Sequence, residues 1–316
     1  WMMSIITKLT NISAAVSYNL GLALIPAMAA MGLFGIVYSM IRTEVMKFPY
    51  RLTTFFLIEP ASMLFLIYNK LTEKTRMIRA AFIGGVAAVI LVIATANLQG
   101  TLEFARANGM GSEEFWNHVA IQGMEDPPVT LSTSWRPEEF WWWWRASRVI
   151  STVQESETID YTIEEFPFFS FMLGDLHPHV MSIPFILLFL GLCWNFLRLS
   201  PKQLIHLNTR SITLVLAIGL SLGGIAFTNM WDLPTFSLVL FGIIVLKAYS
   251  VADGSMMWVM KYGTLLWVSI VGVATVLILP YLLTFTSQVQ GIAPVVTPAT
   301  QPLHMVVVWG LFLVVV

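Results

Sequence analysis

The chain has 316 residues, of which 57% are hydrophobic and only 11% charged, with a mean hydropathy of +0.77. A soluble domain carries charge on roughly a quarter of its residues, so this composition excludes one and calls for a lipid bilayer as solvent. The single cysteine, Cys193, lies in an apolar run, which excludes an intrachain disulfide and a cysteine metal site.

A helix needs about 20 mostly apolar residues to cross a bilayer, and barrel strands would alternate instead. The apolar runs predict an all-α, polytopic helical membrane protein in one transmembrane domain over residues 1–316, with about seven spans. In chain order these are residues 18–40, 80–96, 179–197, 212–227, 234–246 and 264–283, with a last run from Met305. A shorter apolar run, 52–68, has basic segments on both sides and so does not read as a simple crossing. It contains Glu59 before Pro60, which is either an intramembrane functional carboxylate or a polar group at a helix bend. The chain opens at Trp1 and stops at Val316 inside an apolar run, which reads as a fragment of a longer protein.

Charge orients the array. Residues 98–178 hold 13 acidic and four basic side chains, a net charge of −9, whereas the rest of the chain carries 13 basic and five acidic ones, a net charge of +8. Basic loops stay in the cytoplasm, so 42–51, 70–79, 198–210 and 247–261 are expected inside. The acidic segment 98–178, with 228–233 and 286–304, is expected outside. That places a long extracytoplasmic loop in the cell membrane of a multi-pass protein.

Within this loop, RPEEFWWWWRASRV (136–149) predicts a short juxtamembrane helix. Pro137 suits the first turn, Glu138 and Glu139 complement the positive end of the helix dipole, and Arg145 and Arg148 the negative end. The tryptophans 141–144 favour the bilayer interface. Arg145 and Arg148, three apart, share a face and offer either a bidentate grip on a phosphate or an anchor to ordinary phospholipid.

The run TIEEFPFFSFMLGDLHPHVMSIPF (162–185) follows. Its stretch 166–173 is too short to span, so it is expected to dip into the outer leaflet and return at Gly174. Asp175, His177 and His179 then stand at the start of a span opened by Pro178. They suit a divalent metal or proton transfer, or else simple capping with interfacial polarity. The hairpin 228–233 contributes Asn229 and Asp232, the latter also a natural cap for the helix that Pro234 opens. Residues 286–304 form an uncharged loop that either covers a site or links two spans.

The strings FWWWWRASRVI, TIEEFPFFSFMLGDLHPHVMSIPF and FTNMWDLPT, in this order, resemble the YYY-domain group of uncharacterised polytopic membrane proteins of bacteria and archaea, itself distantly similar to the GT-C glycosyltransferases. The resemblance covers about 97–235, with weaker similarity in 18–40. It implies an extracytoplasmic transferase that takes sugar from a polyprenyl-phosphate carrier. Arg145 and Arg148 would bind the phosphate. Asp175, His177, His179 and Glu165 would act in catalysis or hold a metal, and Glu164, Asn229 and Asp232 would line the substrate pocket. The superfamily's general base belongs to its first extracytoplasmic loop, so the resemblance places that acid upstream of Trp1. The group's adjacent tyrosines are expected there too, since all eight tyrosines here are isolated. A transporter or flippase of a lipid-linked glycan is the alternative, although it calls for polar residues through the bilayer midplane. A scaffold without chemistry is the third reading. Membrane lipids are expected partners and nucleic acid is not.

Overall fold

The computed structural model describes residues 2–45, 60–95, 97–124, 135–139, 142–154, 157–200, 209–252, 255–286 and 300–315. The chain divides into two compact units, one of Trp1–Ile93 with Leu176–Gln288 and one of Ala94–Asp175 with Val289–Val316.

The first unit is a helical bundle: α1 (Met2–Thr10), α2 (Ala14–Val45), α3 (Pro60–Val89), α7 (Pro178–Leu197), α8 (Thr209–Thr228), α9 (Asp232–Val251) and α10 (Met256–Thr284). Among the described residues six segments are long and apolar enough to cross a membrane: Ala14–Thr43, Lys74–Ala94, Pro178–Leu197, Thr209–Thr228, Asp232–Val251 and Met256–Thr284. The protein is therefore an all-α polytopic membrane protein, with six such helices where the sequence predicts about seven.

One difference from expectation has a local cause. Residues 70–79 are not a loop. Helix α3 runs unbroken from Pro60 through them, ending in a π-helical turn at Ile90–Ala94. No proline or glycine interrupts the chain between Pro60 and Gly84, and Lys, Leu, Glu, Arg and Met are all strong helix formers. The charges thus mark a stretch of continuous helix, and the second part of the doubtful 52–68 run is that helix's beginning. Glu59 and the rest of 46–59 lie outside the described residues. The run from Met305 is helical, within Pro302–Val315.

The core of the bundle lies among α7, α8, α9 and α10, where Phe189, Phe196, Ile218, Leu222, Leu240, Ile244 and Ile270 are almost fully buried. In lipid, helices associate through close packing rather than by escaping water, so small residues mark the tightest contacts. Gly219 and Gly223, one turn apart on α8, meet α10 at its backbone: a side chain begun at Gly219 would stand 3.3 Å from the Ile270 carbonyl oxygen, and one begun at Gly223 the same distance from that of Ala274. Both partners advance along the chain together, so α8 and α10 run parallel. Helix α2 likewise runs parallel to α7, with Gly21 against Leu176, Gly32 against Leu187 and Gly191 against Ile36.

The second unit contains short elements: α4 (Gln99–Ala107), α5 (Glu113–Val119), a 3-10 helix (Trp142–Ser147), an antiparallel hairpin of β1 (Ser151–Gln154) and β2 (Glu157–Tyr161), α6 (Pro167–Leu173) and α11 (Pro302–Val315). Its apolar centre gathers Trp116, Val119, Ile121, Met124, Val149, Val307 and Val308. The Leu98 amide donates to the Val307 carbonyl at 2.9 Å, which ties α11 to the start of α4.

Candidate functional site

The tryptophan run does not make the expected helix. Residues 136–139 precede a single 3-10 stretch, opened by the Trp142 amide donating to the Glu139 carbonyl at 3.3 Å. Trp141 lies outside the described residues. The cause is packing. Trp142 meets Phe104 edge-on at 5.6 Å, and Trp143 and Trp144 both approach Phe169, at 5.6 and 5.5 Å. The three-residue turn points successive rings about 120° apart, so Trp142 faces Phe104 of α4 while Trp143 and Trp144 lie against Phe169 of α6.

These rings wall a pocket of about 540 Å³ that is lined by Phe104, Trp142, Trp143, Phe166, Phe168 and Phe169 together with the polar Thr95, Asn97, Gln99 and Thr101. Asn97 is fixed by donating from Nδ2 to the Ala146 carbonyl at 2.5 Å, and its Oδ1 receives the Gln99 amide at 3.2 Å. Gln99 is fully buried. Its Nε2 donates to Glu103 Oε1 at 2.6 Å and contacts Met124 Sδ at 3.2 Å, while its Oε1 accepts no hydrogen bond. A buried acceptor left unmatched costs about 1–3 kcal/mol.

Behind Gln99, Glu103 is 2% exposed and holds Arg145, which donates from Nε to Oε1 at 2.5 Å and from Nη2 to Oε2 at 3.2 Å. Nη2 also donates to Glu139 at 2.8 Å. Burial alone would lower the Arg145 pKa, but the hydrogen bonds and charges of the two glutamates outweigh it and raise it. The Arg145 hydrogen bond, against a smaller opposing effect of burial, holds Glu139 below the usual carboxylate range. Arg148 turns elsewhere, its guanidinium 4.3 Å from the centre of the Trp144 ring. The two arginines therefore do not form one fork: Arg145 is taken up by carboxylates, and Arg148 stacks on an exposed indole.

Glu164 clasps the hairpin to the 3-10 helix. Its amide donates to the Ser147 carbonyl at 3.0 Å, and its carboxylate accepts from the Val149 amide at 2.9 Å and from the Thr162 hydroxyl. Burial pushes its pKa up, and the hydrogen bonds and Arg148 only partly offset this. The protonated form is thus favoured in the fold, so this group's stabilisation is full below the ordinary value near 4.5 and falls as pH rises through the raised pKa. Glu139 does not oppose this change, because its own contribution is lost only as pH falls below that ordinary value. Hydrogen exchange at Val149, corrected for intrinsic rate, is expected to quicken across the window above 4.5, and Glu164→Gln to flatten the dependence. An unchanged profile in the variant refutes the assignment. Glu165 is half-buried beside it, and Asp175, also half-buried, donates its amide to the Ser170 carbonyl at 2.9 Å just after Gly174. Gly174 ends α6 in the left-handed conformation, φ 71°, at the position where the sequence predicts the turn.

In the first unit, His177 occupies the N-cap position of α7 without a side-chain capping bond, and Pro178 follows in the first turn. The His177 and His179 rings lie 5.6 Å apart. The buried Ser182, one turn on, donates to Asp232 Oδ2 at 2.7 Å or to the His179 carbonyl at 2.9 Å. Asp232 is therefore not the cap of α9. Trp231 holds that position, and Asp232 in the first turn links α9 to α7. Its amide donates to the Asn229 carbonyl at 3.1 Å. Among the described residues no group of three or more His, Cys, Asp or Glu side chains is arranged to hold a metal ion.

Sequence reasoning missed Asn97, Gln99, Glu103, Ser182 and His304. His304 is fully buried, its Nε2 bonded to the Val119 carbonyl at 2.8 Å and its Nδ1 without a partner. One signal for Gln99 and Glu103 was available, since residues four apart share a helix face. Residues 287–299, most of the loop expected to cover a site, lie outside the described residues.

No curated protein and no solved structure matches the chain. A family profile does, across residues 1–316, described as an uncharacterized membrane protein. The helical bundle and the whole-length match agree, and the chain belongs to the DUF2298 family of uncharacterized membrane proteins.

Proposed function

We propose that the protein is a glycosyltransferase-like membrane enzyme that takes a sugar from a polyprenyl-phosphate carrier at the extracytoplasmic face of the cell membrane. The observation that carries this reading is the aromatic pocket of the second unit. A pyranose ring presents apolar C–H faces and a girdle of hydroxyls, and the pocket offers ring faces interleaved with amides and hydroxyls. A sugar hydroxyl donating to Gln99 Oε1 would satisfy the one acceptor that the fold leaves unmatched there. The resemblance of the tryptophan and DLHPH strings to the YYY-domain group supports the same substrate class.

In this reading Arg148 meets the carrier phosphate, and Arg145, held by Glu103 and Glu139, sets the position of the 3-10 helix that lines the pocket. Transfer would break the bond between the anomeric carbon and the phosphate oxygen, form a bond to an acceptor hydroxyl, and release polyprenyl phosphate. The acceptor's proton passes to a base, for which Glu165 and Asp175 of the second unit are the candidates.

Native mass spectrometry of the full chain, offered a polyprenyl phosphate bearing one hexose, tests this. Retention is expected, falling about tenfold in Gln99→Ala for one lost buried hydrogen bond and further in Trp143→Ala. Retention unchanged in both folded variants, or capture of bulk phospholipid alone, refutes the reading and favours a scaffold.

A further inference from the structure

A second cavity, of about 680 Å³, lies wholly within the first unit, where α7 and α9 end and α8 and α10 begin. Its walls are mainly apolar, with Phe196, Val215, Ile244 and Leu266 among them, and Ser211, Ser255 and Tyr262 add a few hydroxyls. Lys247 belongs to the same wall. It is only 6% exposed, and its ammonium donates to the carbonyls of Leu197, at 2.8 Å, and Leu199, where the negative end of the α7 dipole holds the charge at depth. Around this end stand three exposed cations: Arg198 at the C-cap of α7, Arg210 in the first turn of α8 and Lys261 in the second turn of α10. No described residue of these four helix ends is acidic. Trp258 and Tyr262, with ring centroids 4.8 Å apart, lie on the same wall, and such amphipathic rings settle at headgroup depth.

An apolar chamber, a lysine in its wall and a cationic rim make a combination that neither a neutral lipid nor a free anion would use fully. Basic pockets between transmembrane helices bind anionic headgroups, and the apolar wall beneath suits acyl chain. We propose that this cavity is a site for one anionic phospholipid of the surrounding leaflet, with its phosphate-bearing headgroup at Lys247 and the Arg198 and Arg210 rim and an acyl chain against Phe196, Val215, Ile244 and Leu266. The site is separate from the aromatic pocket of the second unit and does not depend on the glycosyltransferase reading.

The test uses the full chain in phosphatidylcholine vesicles containing a trace of phosphatidylglycerol with a photoreactive diazirine in its acyl chain. Crosslinks are mapped by peptide mass spectrometry. The probe is expected to label the 196–215 and 244–269 segments about fivefold more than the same probe on phosphatidylcholine, the preference that one basic side chain near a headgroup confers. Unlabelled phosphatidylglycerol should compete and inorganic phosphate should not. Gly263 lines the chamber, and a side chain begun there would stand no nearer than 3.7 Å to Ile244, so Gly263→Leu should fill the space and remove the labelling with thermal stability retained. Lys247→Met should weaken the preference for the anionic probe. Equal labelling by both probes, labelling spread evenly over all helices, competition by inorganic phosphate, or full labelling of folded Gly263→Leu would each overturn the proposal. Should Lys247→Met fail to fold, the probe comparison and Gly263→Leu decide the matter.

Discussion

Glu103→Ala is expected to destabilise the second unit by about 3–5 kcal/mol, as removal of one partner of a buried ion pair does. Glu103 and Arg145 are 3% and 15% exposed at their side chains and share two hydrogen bonds. Without the carboxylate, a guanidinium is left in a poorly solvated place with only the exposed Glu139 to balance it, and Gln99 Nε2 loses its acceptor. Arg145→Met should cost as much, since it strands Glu103. The double substitution Glu103→Gln with Arg145→Met removes both charges and should recover much of the loss, because an apolar or neutral pair of similar volume avoids the desolvation of two ions. Glu139→Gln, on the surface arm of the triad, should change stability by less than about 1 kcal/mol. Equilibrium unfolding in mixed micelles, followed by protease protection of the 99–147 region, reads all four. If both single variants fall within about 1 kcal/mol of the parent, the pair is not what holds the 3-10 helix to α4. Lost pocket binding in Glu103→Ala with Arg148 intact would then have to come from Gln99 alone.

The second large effect is expected on α8. Gly223→Leu would set a branched side chain where the first carbon already stands 3.3 Å from a backbone oxygen of α10, which has no rotamer with which to move aside. Gly219→Leu meets both Val273, at 2.9 Å, and the Ile270 carbonyl. Overpacking of this kind costs about 1–3 kcal/mol per site, and the two sites together should separate α8 from α10. Gly242→Leu on α9 and Gly272→Leu on α10 are the controls, because a side chain begun at either meets nothing within 4 Å. Detergent-dependent unfolding should shift for the α8 pair and not for the controls. Equal behaviour of all four would mean that the α8–α10 contact does not govern bundle stability.

The sequence by itself determined the class of this protein and the positions of its membrane helices. Apolar length is a local property that lipid enforces residue by residue, so 18–40, 179–197, 212–227, 234–246 and 264–283 all fall inside the helices observed. Proline and glycine punctuation was equally local, which is why Pro178 opens α7 and Gly174 closes α6 as predicted. Charge was less reliable as a boundary, since 70–79 reads as a loop by composition while its helix formers carry α3 straight through.

What only the tertiary structure decided was which polar side chain faces which. Arg145 and Arg148 look like a pair along the chain, but Glu103, 42 residues earlier, takes the first, and an aromatic face takes the second. Asp232 looks like a cap, but Ser182, 50 residues earlier, holds it across to α7. Gln99 and His304 become notable only once packing has buried them with an unmatched atom each. Such partners are chosen by burial, because a charge or amide removed from water must find a counterpart among whatever the packed helices bring within about 3 Å. Spacing along the chain carries no information about that choice when the partners lie on different elements.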